Sequence, residues 1–284
     1  MNFQILNTFH LKNRLRRASH EHKGDAGKVL LIGGAPGMAG AILLAARAAL
    51  YGGSGWVLIE LVDENALPVL QDQPELMISK AALGSIDRIC PDVIAIGPGL
   101  GQSTLAKDLL VEALGADQTV VLDADALNLI ASDKTLLSLL KNRPPFSSVL
   151  TPHPGEAGRI LNKSTEYVQA HRKESLSELL KLTGAIVVLK GEGTLVGISA
   201  DQGFICQRGN PGMAVGGMGD VLTGLLAALI AQGLKHHLSL DEAVCLGVEL
   251  HSGAADVLRD KGTGPIGLTP SELILEIRNL INIK

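Results

Sequence analysis

Aromatic side chains are scarce in this chain: one Trp, two Tyr and four Phe in 284 residues. Nucleic-acid modules that stack bases on aromatic platforms fit that inventory badly, and a formal net charge of −4 argues against a general polyanion binder. Cysteine is scarce too. Cys90, Cys206 and Cys245 are far apart, odd in number and without a C-x-x-C pair. They suggest neither a disulfide framework nor a zinc site of the usual spacing, and buried reduced thiols are the expectation. No basic-then-apolar leader opens the sequence. The most lipid-like stretch, Val221 to Ala231, is well short of the ~20 residues of a membrane span. These absences lead to the expectation of a cytoplasmic protein.

What the chain does have is 33 glycines, with 46% apolar against 19% charged residues, a balance that excludes disorder as the dominant state. Its core must be built from Ala, Val, Ile and Leu. Residues 1–22 form a basic lead-in carrying Lys12, Arg14, Arg16 and Arg17, read as a solvated helix. His20-Glu21-His22 is the spacing of surface residues more than of a metal site. From residue 23 to 284 a single domain is expected, since no repeat, low-complexity tract or linker divides it. Short apolar runs predict strands at Lys28–Ile32, Trp56–Val62, Val93–Ile96, Thr119–Leu122, Ser148–Leu150 and Ala185–Leu189, with a hairpin over Leu195–Gln207. Helical composition spans Ala41–Tyr51 and Leu105–Leu114. Apolar strands alternating with helices predict an α/β fold with a mostly parallel sheet covered by helices on both faces. Ligands of such sheets bind beyond the carboxyl ends of the strands, where nearly all the polar and glycine-rich segments fall.

Two glycine loops stand out. Gly33–Gly40 follows the first strand but matches neither the dinucleotide fingerprint nor a Walker A loop. Gly209–Asp220 runs straight into the apolar stretch from Val221. Gly216, Gly217 and Gly219 leave backbone N–H groups bare at a helix N-terminus, a site that suits phosphate. Asp220 beside them reads either as a helix cap or as a general base that takes a hydroxyl proton while the N–H groups hold a transferring phosphoryl group. Lys190 offers charge to a phosphate or is a surface lysine in a turn. Asp123 and Asp125, at a strand end, position a metal or nucleotide or else cap a helix.

The run Gly216-Gly217-Met218-Gly219-Asp220-Val221-Leu222-Thr223-Gly224 resembles the anion-hole motif of ribokinase-like enzymes. With His22–Leu30, Gly97–Gly101, Asp123–Asn128, Thr151–Glu156 and Lys190–Thr194, in this order, the chain is similar to the ADP- or ATP-dependent NAD(P)H-hydrate dehydratases. That resemblance implies a ribokinase-like fold and ADP-dependent dehydration of the S epimers of NADH and NADPH hydrates, releasing AMP and phosphate. It implies Asp220 as catalytic residue at the hydrate, with Ala41, His153 and either Gly101 or Gly99 as further hydrate contacts. Lys190, Gly191, Glu192, Gly193 and Thr194, with Gly219, correspond to the nucleotide-binding positions. Glu156 occupies the place of an acid associated with Mg²⁺. The family also suggests a homotetramer. Many members carry an epimerase domain ahead of the dehydratase; here the expectation is a separate epimerase chain. The competing reading is a ribokinase-like vitamin-precursor kinase.

Overall fold

The apolar runs become the inner strands of a single sheet, in a computed structural model that describes residues 1–66 and 68–283. The strands are β1 (Asn2–Ile5), β2 (Lys28–Gly33), β3 (Trp56–Leu61), β4 (Met77–Lys80), β5 (Val93–Ile96), β6 (Thr119–Leu122), β7 (Ser148–Leu150), β8 (Ile186–Leu189), β9 (Leu195–Gly197) and β10 (Gln202–Ile205). Their order across the sheet is β1-β10-β9-β8-β7-β6-β5-β2-β3-β4. Pairings from β8 to β4 are all parallel, whereas β9 is antiparallel to both β8 and β10. The helices are α1 (Ala39–Tyr51), α2 (Ser85–Ile89), α3 (Thr104–Gly115), α4 (Asp125–Ser132), α5 (Lys134–Asn142), α6 (Pro154–Leu161), α7 (Thr165–Ala170), α8 (Arg172–Thr183), α9 (Met218–His236), α10 (Leu240–Asp260) and α11 (Pro270–Asn282).

Because side chains alternate across a strand, each inner strand feeds two cores. Val29, Leu31, Val93, Ala95 and Val121 pack with α1, α9, α10 and α11. Leu30, Ile32, Ile94, Ile96 and Leu122 pack on the other face with α3 to α6 and α8. Truncating a fully buried leucine of either layer, such as Leu225 or Leu110, to Ala costs about 2–5 kcal/mol.

Helix α9 extends well beyond the apolar stretch read from the sequence, reaching 19 residues. By length and composition it is apolar enough to cross a membrane, yet 78% of that window is buried inside the protein. It packs against α1, α10 and the sheet. Gly224 makes the α1 contact close: a Cβ there would lie 1.8 Å from the Ala45 carbonyl oxygen.

Two expectations need correction. The first residues are docked rather than solvated: β1 adds an edge strand in parallel to β10, and Phe9–Leu15 is a 3₁₀ helix. Leu6, Leu11 and Leu15 are buried in the core, and the Thr8 hydroxyl donates to Glu249 at 2.7 Å. Whereas Arg14 pairs with Glu242, Lys12, Arg16 and Arg17 line a cleft of about 780 Å³ with Tyr51 and Arg278. There Lys12 and Arg17 donate to the carbonyls of Leu280 and Gly53, which sit where α11 and α1 end and favour cations. Cys90 is exposed, whereas Cys206 and Cys245 are buried.

Parallel pairing puts the carboxyl ends of β2, β5, β6, β7 and β8 along one edge. The loops that follow them, at residues 33–38, 97–101, 123–125, 151–156 and 190–194, gather there.

Candidate active site

Asp123 follows β6 and organises this edge. It is buried, and its carboxylate accepts from Lys190 Nζ at 2.7 Å, Thr151 Oγ1 at 2.8 Å and Thr223 Oγ1 at 2.8 Å. Burial alone would raise its pKa, but the Lys190 ammonium and the three hydrogen bonds hold it below the ordinary aspartate value. Burial opposes the charge on Lys190 in turn, and the carboxylates of Asp123 and Glu156 outweigh it, raising the lysine's pKa. One carboxylate therefore ties the ends of β6, β7 and β8 to the first turns of α9. Neither a helix-capping Asp123 nor a surface Lys190 is found. Removing one partner of such a buried pair costs about 3–5 kcal/mol, because the other charge is stranded.

Helix α9 enters the same edge. Its N-cap is Gly217 at φ +96°, with no side-chain cap, so Asp220 in the first turn does not cap the helix. Among the described residues the Asp220 carboxylate makes no hydrogen bond, and the N–H groups of Gly216, Gly217 and Gly219 have no intramolecular acceptor. Four N–H groups of any helix start are left over by geometry, and here small residues leave them uncovered. Thr223, one turn beyond Asp220, bonds Asp123 and so turns this side of α9 towards the ion pair. Gly219 touches it: a Cβ there would lie 3.1 Å from Lys190 Nζ. Burial raises the Asp220 pKa to about 6; the Asp123 charge adds to the shift, Lys190 opposes it and Asp125 adds a little more. A half-buried carboxylate with that pKa is ionised at neutral pH yet basic enough to take a proton.

The segment Lys190–Thr194 leaves β8 as a turn whose tip, Gly191 and Glu192, is exposed. Gly191 sits at φ +129°, and any Cβ would meet the Arg172 guanidinium at 2.7 Å. Arg172, opening α8, donates to the carbonyls of Lys190, Leu189 and Gly193 at 3.1, 3.1 and 3.3 Å. It shapes this turn without projecting from it. Thr194 Oγ1 bonds the Gly191 carbonyl, while Glu192 is exposed and apart from the ion pair.

The other expected contacts come from neighbouring loops. Ala41 lies half-buried in the first turn of α1. Gly99 is buried, with its carbonyl accepting from Ala35 N–H at 2.6 Å. Gly101 is partly exposed, and its N–H donates to Asp125 Oδ2 at 2.9 Å. Of that pair, only Gly101 offers surface to a ligand. His153 caps α6: its Nδ1 accepts from the N–H groups of Gly155 and Glu156, while Glu156 Oε2 accepts from His153 N–H at 2.8 Å. Burial and the nearby Lys190 and Arg159 charges lower the His153 pKa. The imidazole is thus neutral with its proton on Nε2, 3.3 Å from Glu156 Oε1. Glu156 is buried, which raises its pKa against the opposing Lys190 charge; its Oε2 lies 3.9 Å from Lys190 Nζ.

These donors bear on a metal. Among the described residues no group of three or more His, Cys, Asp or Glu side chains could hold an ion, and Lys190 lies between Asp123 and Glu156. So sparse a donor set suits a hard cation that takes most of its ligands from phosphate and water, as Mg²⁺ does.

The edge therefore brings together Asp123, Glu156, Lys190, Gly219 and Asp220, and beside them Gly101 with Asp125. The sequence reading missed Thr151, Thr223 and Arg172. Thr151 and Thr223 were inside the motifs quoted, but their role depends on Asp123 meeting them in space. Arg172 carries no local signal, being one charged residue at a helix start.

Comparison with known proteins agrees. The sequence model of the family described as NAD(P)H-hydrate dehydratase matches residues 29–279. An ADP-dependent (S)-NAD(P)H-hydrate dehydratase of Neisseria meningitidis serogroup B is 37% identical over 269 residues, 94% of this chain and 88% of that protein. The bifunctional NAD(P)H-hydrate repair enzyme Nnr of Coxiella burnetii is 42% identical over 272 residues, 94% of this chain but 53% of the relative. This chain spans about half the length of such bifunctional relatives. Among solved structures, the Bacillus subtilis ADP/ATP-dependent NAD(P)H-hydrate dehydratase, co-crystallised with ATP and Mg²⁺, superposes with TM-score 0.83 at 29% identity, covering 99% of this chain and 98% of that one. A hydroxyethylthiazole kinase from Pyrococcus horikoshii, at TM-score 0.62 and 14% identity over 96% and 92% of the two chains, shares the fold alone. The chain belongs to the NAD(P)H-hydrate dehydratase family, on a ribokinase-like fold.

Proposed function

We propose that this chain dehydrates the S epimers of NADH hydrate and NADPH hydrate at the expense of ADP, releasing AMP and phosphate. The observation that carries the reading is Asp220, a carboxylate with no hydrogen bond among the described residues and a pKa of about 6, beside the uncovered N–H groups at the start of α9. Hydroxide is a poor leaving group, and a kinase-like site converts it to phosphate. Asp220 takes the proton of the hydrate hydroxyl while its oxygen attacks the β-phosphorus of ADP and AMP departs. The N–H groups of Gly216, Gly217 and Gly219, with Lys190, receive the charge of the transferring group; one such donor is worth roughly 10²–10³ in rate. The ring-nitrogen lone pair then expels phosphate, and loss of a proton from the adjacent carbon restores the dihydropyridine.

In this reading Lys190–Thr194 and Gly219 hold the nucleotide, while Ala41, Gly101 and His153 line the hydrate; the buried Gly99 anchors the same loop through its carbonyl, which accepts from Ala35 N–H. Glu156 would hold Mg²⁺ together with phosphate oxygens and water, and the ion supplies neutralisation of phosphate charge. The finer proposal is a cytoplasmic homotetramer. Incubation with prepared NADH hydrate, Mg²⁺ and either ADP or ATP tests the reading. Recovery of dihydropyridine absorbance matched by AMP from ADP is expected. Consumption of nucleotide only with a vitamin-precursor alcohol such as a thiazole or pyridoxine alcohol would make the chain a kinase instead.

A further inference from the structure

The turn that would receive the phosphoryl group is built from the residues least able to hold a shape. Gly216, Gly217 and Gly219 surround Met218, Gly217 stands at φ +96°, and the helix has no side-chain cap. A glycine-rich turn has many accessible conformations, whereas oxyanion-type stabilisation depends on donors fixed before the charge arrives. The helix ladder that starts at Met218 supplies part of that order, and a contact from outside the helix can supply the rest.

Met218 is the single non-glycine member of this turn, and it is held twice. Its side chain is buried in the core. Its carbonyl oxygen lies 2.9 Å from Nε2 of His251, a buried side chain on α10 that faces the start of α9. Burial pushes the His251 pKa down to about 4, with the Met218 carbonyl opposing that shift and the Lys190 charge adding to it. The ring is therefore neutral across the working pH range, and since its partner is a carbonyl, Nε2 carries the hydrogen and donates. The Met218 carbonyl and the Gly219 N–H belong to one planar trans peptide and point to opposite sides of it. Pinning the carbonyl aims the amide.

We propose that His251 is a positioning residue for the phosphoryl-binding turn: by donating Nε2–H to the Met218 carbonyl it fixes the Met218–Gly219 peptide plane and preorganises the Gly219 N–H. This rests on the reading of the turn as a phosphoryl site. His251 itself touches no substrate, and it acts through one peptide group.

The test compares His251→Phe, which keeps a ring but removes the donor, with His251→Gln, whose amide reaches about as far as Nε2. Affinities for ADP and AMP are measured by titration calorimetry, because the β-phosphate that distinguishes them is the group the turn receives; hydrate turnover is measured alongside. In the Phe variant the preference for ADP over AMP should shrink by about tenfold and kcat fall by roughly 10², the scale of losing one oriented donor. AMP affinity should hold, and Gln should restore most of both losses. If Phe does not yield folded protein, His251→Asn, too short to reach the carbonyl, takes its place against Gln. A wild-type ADP preference and kcat in the donor-free variant, an equal loss of AMP and ADP affinity, or a Gln variant no better than Phe would each overturn the proposal. Should wild-type protein fail to turn over hydrate while its ADP preference still depends on His251, the substrate reading fails and the positioning role stands.

Discussion

Replacing Asp220 by Asn should make the protein more stable and nearly inactive at once. Asn keeps the shape and removes the charge. In the fold the carboxyl has a pKa of about 6, against 3.8 for an ordinary aspartate, because burial and the Asp123 charge disfavour ionisation. A shift of roughly two units, at 1.36 kcal/mol each, corresponds to about 2–3 kcal/mol held against folding when the group is charged. The pH dependence follows from the direction of the shift. Below 3.8 the group is neutral in both folded and unfolded chains, and its environment favours the folded state relative to higher pH. That advantage is lost as pH rises through about 6, above which the folded state alone holds a desolvated anion. Asn escapes the loss. At pH 8 the variant should melt roughly 4–10 °C above the parent, and the gap should close towards pH 4. Differential scanning fluorimetry without ligands, in buffers spanning that range, reads this directly. Turnover of NADH hydrate should fall at least ~10²-fold while ADP binding persists. A variant that gains no stability at pH 8, or keeps near-parental turnover, would refute the reasoning that this carboxylate is the desolvated base.

Further outcomes follow from neighbouring contacts. Parental kcat/KM should decline as pH drops below about 6, following protonation of Asp220, and a pH–rate profile flat to pH 5 would count against it. Asp123→Asn should lower stability by about 3–5 kcal/mol by stranding the Lys190 ammonium, measured as a shift in the urea midpoint. Gly191→Ala, forced against Arg172 at 2.7 Å and φ +129°, and Arg172→Ala, which releases three carbonyls, should both weaken ADP binding at least several-fold in calorimetric titrations while leaving the fold intact. Ala41→Leu should raise the KM for hydrate and spare ADP affinity; equal effects on both ligands would remove Ala41 from the hydrate side.

Much of the sheet was legible because its inner strands are buried on both faces and therefore read as unbroken apolar runs, as in Val93–Ile96 and Thr119–Leu122. The edge strands were not. Asn2–Ile5 and Met77–Lys80 expose most of their residues, so neither carries an apolar or alternating pattern, and only their pairing to β10 and β3 makes them strands. The site divides in the same way. Its glycine turn and Asp220 are contiguous and visible as a motif, whereas the Asp123 cluster joins residues 67 and 100 positions apart. Nothing local to Lys190 distinguishes it from a surface lysine. Topology alone brings it under Asp123. His251 and Arg172 were invisible for a related reason: each works by binding backbone carbonyls of another element, which leaves no spacing to detect.

The central claim is that the hydrate's own hydroxyl oxygen is phosphorylated and then leaves on phosphate. NADH hydrate carrying heavy oxygen at that hydroxyl, incubated with the protein, ADP and Mg²⁺, tests it by mass spectrometry of the products. The account predicts that the label appears in the released inorganic phosphate, one atom per dihydropyridine restored. Label released into water, with unlabelled phosphate formed alongside, would contradict it.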